Sequence, residues 1–140
     1  MQVLIINIEM NIDNILLDKL AVDARTSPRL RMNFDLRDGS DDSSQRMLNA
    51  LEPGTMIPIH RHSSTSETVV ILRGKVVQHF YDDEGNVTDS IYMQPGGPIY
   101  AMNVPIGQWH RIEALESGTV ILEFKNGAYA PIAGDDVMSI

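Results

Sequence analysis

A chain of 140 residues with no cysteine is long enough to bury one core, and it has neither a disulfide framework nor a thiolate metal site. Its formal charge of −8, with eleven scattered Lys and Arg of which Arg29 and Arg31 come closest to a cluster, argues against a nucleic-acid partner, whose phosphates demand a basic face. No stretch approaches the ~20 apolar residues of a membrane span. The opening run Val3-Leu4-Ile5-Ile6 is too short for a secretion signal and follows no basic residue, so the expectation is a cytoplasmic protein with no membrane partner.

In chain order, residues 1–10 hold a short apolar run that reads as an edge strand, of the kind that can add to the sheet of a second subunit, and a homodimer is expected. From Asn11 to Ala24, the residues Ile12, Ile15, Leu16, Leu20 and Ala24 recur at helical spacing, with Asn11 available as N-cap. Pro28 stops that helix. Met32, Phe34 and Leu36 then alternate with Arg31, Asn33 and Asp35 as in a half-buried strand, and residues 39–44 form a polar loop. From Gln45 to Lys125 short strands are separated by Pro53-Gly54, Arg73-Gly74, Gly85-Asn86, Pro95-Gly96-Gly97, Pro105-Ile106-Gly107 and Ser117-Gly118. That spacing predicts an all-β sandwich or barrel. The acidic turn at 82–86 reads as a hairpin tip, since it lacks the ligand pattern of a calcium loop. The reading divides the chain into a strand-helix extension (1–30), a barrel (31–131) and a flexible tail (132–140).

One stretch carries chemistry. His60 and His62 flank Arg61, and residues two apart on a strand share a face, so two imidazoles project side by side. Residues 63–66 are a polar turn, and Glu67 opens the β-branched run that follows; a hairpin here would return its carboxylate to the imidazoles. His110 follows the Pro105–Gly107 turn. A lone His on a strand is usually an ordinary core or surface residue, but three of the four His in this chain fall into this pattern. Three neutral nitrogens and a carboxylate suit one divalent transition metal (Fe, Mn, Ni, Co, Cu or Zn) and leave positions open for a ligand. Such a site should lose affinity below about pH 6, where free imidazoles charge.

Gly54, His60, His62, Glu67 and Gly74 resemble the first motif of the cupin superfamily at every position. Pro105, Gly107 and His110 resemble the second, with departures: Ala114 stands where an Asn is usual, and Gly97 lies two residues further upstream than the motif has it. The segments at 27–31, 45–54, 60–62, 109–110 and 123–131 resemble the WbuC-type cupin-fold metalloproteins. The resemblance implies an all-β cupin jelly-roll β-barrel with a short N-terminal strand and helix, and a metal held by His60, His62, Glu67 and His110. It also implies a role in bacterial surface-polysaccharide biosynthesis. It assigns no reaction; the first one expected of a metal with open positions is metal-dependent chemistry on a carbohydrate precursor, such as isomerisation or epimerisation. Two alternatives stand beside it, an iron-dependent dioxygenase and a non-catalytic metal-dependent module that binds a small sugar-like molecule or hydroxy acid.

Catalyst and binding module differ in whether a second titratable group stands beside the metal. No further His or Glu is visibly directed there by the sequence. Arg46 and Asn49, on the strand before the motif, are the candidates for substrate binding; they fall on opposite faces, so at most one points inward. An inward Arg would anchor an anion, and an outward one a surface ion pair. Trp109 should face away from His110 and pack, and His79 is read as no ligand.

Overall fold

Asp13, two residues later than expected, begins the first element. In the computed structural model, which describes residues 10–127, 130–132 and 134–139, helix α1 spans Asn14–Thr26. The Asp13 carboxylate accepts a hydrogen bond from Leu16 N at 3.0 Å, satisfying an N–H that the first turn leaves free. Ser27 closes the helix by donating its N–H to Ala24 O. With that start the buried stripe is Leu17, Leu20, Ala21 and Ala24, while Ile15 is 80% exposed. The edge strand expected at 1–10 falls almost wholly outside the described residues.

Eight strands follow: β1 (Arg31–Asp35), β2 (Ser44–Leu51), β3 (Glu67–Arg73), β4 (Val76–Tyr81), β5 (Val87–Met93), β6 (Ala101–Val104), β7 (Trp109–Ala114) and β8 (Thr119–Asn126). They form a five-stranded antiparallel sheet in the order β1-β2-β8-β3-β6 and a three-stranded one in the order β5-β4-β7. The all-β expectation holds, but the sheets do not close into a barrel. The β3–β4 turn at Gly74 carries the chain from the larger sheet to the smaller instead of pairing the two strands with each other.

Both faces of the larger sheet are used. Helix α1 covers the outer face, where Leu17, Leu20 and Ala24 pack on Leu48, Ala50 and Val120 with Met32, Phe34, Leu36 and Leu122 around them. Burying a side chain such as Leu48 contributes about 2 kcal/mol. The inner face meets the smaller sheet through Leu51, Val69, Ile71 and Ile121 against Val76, Met93 and Ala114. Strand pleating therefore sends Leu48 and Ala50 towards the helix, and Gln45, Met47, Asn49 and Leu51 between the sheets. The C-terminal residues, read from sequence as a fraying tail, lie along 59–61: Met138 N donates to Ile59 O at 2.9 Å and Arg61 N to Asp136 O at 3.0 Å.

Candidate metal centre

The imidazole pair does not sit on a strand that folds back as a hairpin. His60 forms an isolated bridge with His110, by paired backbone hydrogen bonds of 3.1 and 2.9 Å, and a second with Val137. The 59–62 segment thus extends the smaller sheet beyond β7. Glu67 opens β3 in the larger sheet, so its carboxylate arrives from across the interior and not from a neighbouring strand. Residues 63–66 connect the two sheets, which explains why the expected hairpin is absent.

Three imidazoles converge. The candidate ligand atoms of His60, His62 and His110 all lie within 4.8 Å of one another. His60 Nδ1 lies 2.9 Å from Pro58 O and His110 Nδ1 lies 2.8 Å from Gln108 O. These contacts assign the proton of each ring to Nδ1 and leave the Nε2 lone pair for another partner, the usual arrangement behind a metal-ligating histidine. The Nε2 atoms of His62 and His110 are buried and bonded to nothing. Glu67 Oε2 stands 3.5 Å from His62 Nε2, and Oε1 stands 3.6 Å from His110 Nε2. Those separations are too long for hydrogen bonds. They suit donors that share one ion, because ligands about 2.1 Å from a common centre lie roughly 3.0–3.4 Å apart. The residues fit a divalent cation.

The electrostatics agree. Burial, reinforced by the neighbouring His110, lowers the His60 pKa to about 4. Burial alone would raise Glu67, but contact with His110 and His62 outweighs it and holds the carboxyl below the usual range. Glu123, on β8, is pushed the other way, well above the usual carboxylate range, by burial and then by the charge of Glu67. Asn49 Nδ2 donates to Glu123 Oε1.

The His60 shift makes stability depend on pH in the metal-free protein. Between pH 6.5 and 4 the unfolded chain binds a proton that the folded one refuses, so this contribution to stability falls as pH falls through that window. The expected loss from His60 is about 3 kcal/mol at most, read as the difference in urea unfolding free energy at the two ends of the window. Stability unchanged across it would contradict a buried neutral imidazole.

A cavity of about 200 Å³ opens beside these groups. It is lined by the four expected ligand residues and by Asn49, and also by Glu123, Gln45, Gln78, Arg29 and Arg31, which sequence reasoning did not place there. Arg46 is outside it. Its guanidinium turns to the outer face and bonds Asp42, Leu36 O and Ser44 O. Trp109 packs away from the cavity with Ile59 and Tyr81, under the Arg61 guanidinium at 4.4 Å. His79 lies on the outer face of the smaller sheet, 2.8 Å from Ser90 Oγ. A signal for Glu123 was present in the alternation of β8, where Ile121, Glu123 and Lys125 share one face and Val120, Leu122 and Phe124 the other.

Among solved structures the chain is similar to the capsular polysaccharide assembling protein CapF from Staphylococcus aureus, at 21% identity over 76% of this chain with a TM-score of 0.63. It spans only 30% of CapF. It is similar to KdgF from Halomonas sp., at 14% identity over 73% of this chain and 83% of that one, with a TM-score of 0.57. Oxalate oxidase in complex with the substrate analogue glycolate matches at 14% identity over 74% of this chain and 54% of that one, with a TM-score of 0.58. These likenesses show a cupin jelly-roll fold. No curated protein matches the sequence. No helix among the described residues is long and apolar enough to cross a membrane. A family model does match, over residues 12–93 and so over more than half of the chain, and the protein belongs to the family described as a domain of unknown function, DUF6016.

Proposed function

We propose that this protein is a WbuC-type cupin metalloprotein that binds one divalent transition metal through His60, His62, His110 and Glu67. On this reading it acts on a carbohydrate precursor of bacterial surface polysaccharide by moving a proton, as an isomerase or epimerase does. The observation that carries the reading is Glu123, a second carboxyl set in the cavity against Glu67 and steadied by Asn49. A binding module needs no such group, whereas proton transfer needs one within reach of the ligand. The capsular polysaccharide role in the description of CapF, and the hydroxy acid glycolate bound by oxalate oxidase, support the choice of substrate class.

A divalent ion at this site supplies a Lewis acid that polarises a carbonyl or hydroxyl oxygen. The chain does the rest. The backbone carbonyls of Pro58 and Gln108 hold two imidazoles in one tautomer, and Glu67 contributes negative charge from the opposite sheet. Asn49 occupies Oε1 of Glu123, which leaves Oε2 to carry the proton.

Incubation of metal-loaded protein with hydroxy-carbonyl sugars in heavy water tests this. The expected result is deuterium at the carbon beside the carbonyl, seen by NMR. Glu123→Gln should slow its incorporation by about 10²–10⁴-fold while leaving the metal content unchanged. Turnover that requires oxygen would replace this reading with the dioxygenase. Binding with neither exchange nor turnover would replace it with the binding module.

A further inference from the structure

We propose that the cavity contains an oxyanion subsite made by Arg29 and Arg31, and that its ligand is a small polyhydroxylated molecule carrying a carboxylate or a phosphate at one end. The inference deepens the function proposed above by naming the substrate class, and it rests on that reading only in taking the cavity as the ligand site.

Both arginines line the same cavity as the imidazoles. Among the described residues neither has an ion-pair partner, although Arg37, Arg46, Arg61 and Arg73 are each paired with an aspartate. Arg25 and Arg111 are likewise unpaired among the described residues but do not line the cavity, whereas Arg29 and Arg31 bring two unpaired guanidinium groups to its wall, where an external anion can meet them. Guanidinium is suited to the task because its fixed fork grips carboxylate or phosphate at two points.

The backbone between them is held in an unusual conformation. Leu30 has φ +57°, and it is the one non-glycine residue with positive φ among those described. This conformation crowds the Cβ of an L-residue against its carbonyl and persists only where surroundings enforce it. Here Leu30 O accepts from Glu52 N at 2.9 Å and from Thr55 Oγ1 at 2.7 Å. The pinned turn carries Arg29, which precedes β1, to the cavity that Arg31 enters from the strand itself.

Two glutamines point to the remainder of the ligand. Gln45 is 5% exposed and Gln78 1% exposed, both line the cavity, and Gln45 Oε1 and Gln78 Nε2 have no hydrogen-bond partner. An acceptor and a donor left open in a buried wall match the hydroxyls of a polyol, since unsatisfied buried polar atoms are costly. Lys125 also lines the cavity and adds a third positive charge to its wall.

The test is an NMR titration of zinc-loaded protein with D-glucose, D-glucuronate and D-glucose 6-phosphate, followed at the Arg29 and Arg31 side-chain N–H signals. The expected result is that at least one anionic sugar moves those signals and binds about tenfold or more tightly than glucose. The tighter of the two identifies the anion as carboxylate or phosphate. Arg31→Gln, or Arg29→Gln if the first variant fails to fold, should remove that preference while keeping its metal by elemental analysis. Arg111→Gln, the same charge change on the outward face of β7, should preserve it. Equal binding of all three sugars, an anion preference that survives both variants, or no response from any of the three would overturn the subsite. Repeating the titration on chelator-treated protein separates the two readings: a response of the arginines without metal supports the subsite even if the metal assignment fails.

Discussion

Replacing His60 and His62 together by alanine is expected to leave the protein without stoichiometric metal. The two residues supply half of the proposed donors, and the Nε2 of His62 is among the buried atoms that bond to nothing in the protein. Loss of a single group that hydrogen-bonds a metal ligand commonly lowers metal affinity roughly 10–100-fold, so loss of two donors should lower it by at least three orders of magnitude. Elemental analysis of natively purified wild type, double variant and His79→Ala is the measurement. His79 sits on the far face of the smaller sheet with Ser90 and Glu113, and its variant should retain the full equivalent. A full equivalent in the double variant would end the assignment, and loss in His79→Ala would mean that a different histidine set binds.

The second large effect is on stability. Gly74→Ala is expected to cost up to about 4 kcal/mol, from about 1 kcal/mol for an L side chain at φ +83° and up to about 3 for overpacking. A Cβ there would lie 2.2 Å from Thr119 Oγ1 and 2.7 Å from the Thr119 Cα, and the backbone atom cannot rotate away. Thr119 is itself fully buried and fixed by its bond to Glu116 O at 2.7 Å, so neither partner can yield cheaply. Gly96→Ala is the matched control: φ is +87° and a Cβ would meet nothing within 4 Å, so only the conformational cost of about 1 kcal/mol remains. Urea unfolding of both variants measures the difference. Equal losses would show that the close approach of β8 to the Gly74 turn is not what demands glycine.

How much of this was legible in the sequence depended on how local each signal was. The turns and the alternation of Met32, Phe34 and Leu36 identified β1 and the strand-rich body, because pleat and turn chemistry act over a few residues. The helix began at Asp13 and not at Asn11, since a carboxylate three residues before Leu16 caps better than a side chain one turn too early. The convergence of His60, His62 and His110 was readable from spacing and turn. The route taken by Glu67 was not, because it depends on whether residues 63–66 double back or cross to the other sheet. Glu123 was missed for a related reason. Strand β8 is buried on both sides, with Val120 and Leu122 under the helix, so alternation divides its residues into two faces without saying which one meets the cavity. Arg29 and Arg31 were noticed as neighbours in sequence, but which wall they line depends on how β1 packs against the rest of the sheet.

The donors' division between two layers has a mechanical consequence. His60, His62 and His110 belong to the smaller sheet and its extension, and Glu67 to the larger. An occupant that holds all four is therefore a rivet through the sandwich, opposing any sliding or parting of its halves. Cohesion of the layers and occupancy become a single equilibrium: an ion at a thousand times its dissociation constant adds about 4 kcal/mol against unfolding. A ligand that drew Glu67 away from the imidazoles would remove that link as it bound and leave the apolar core alone to hold the layers together.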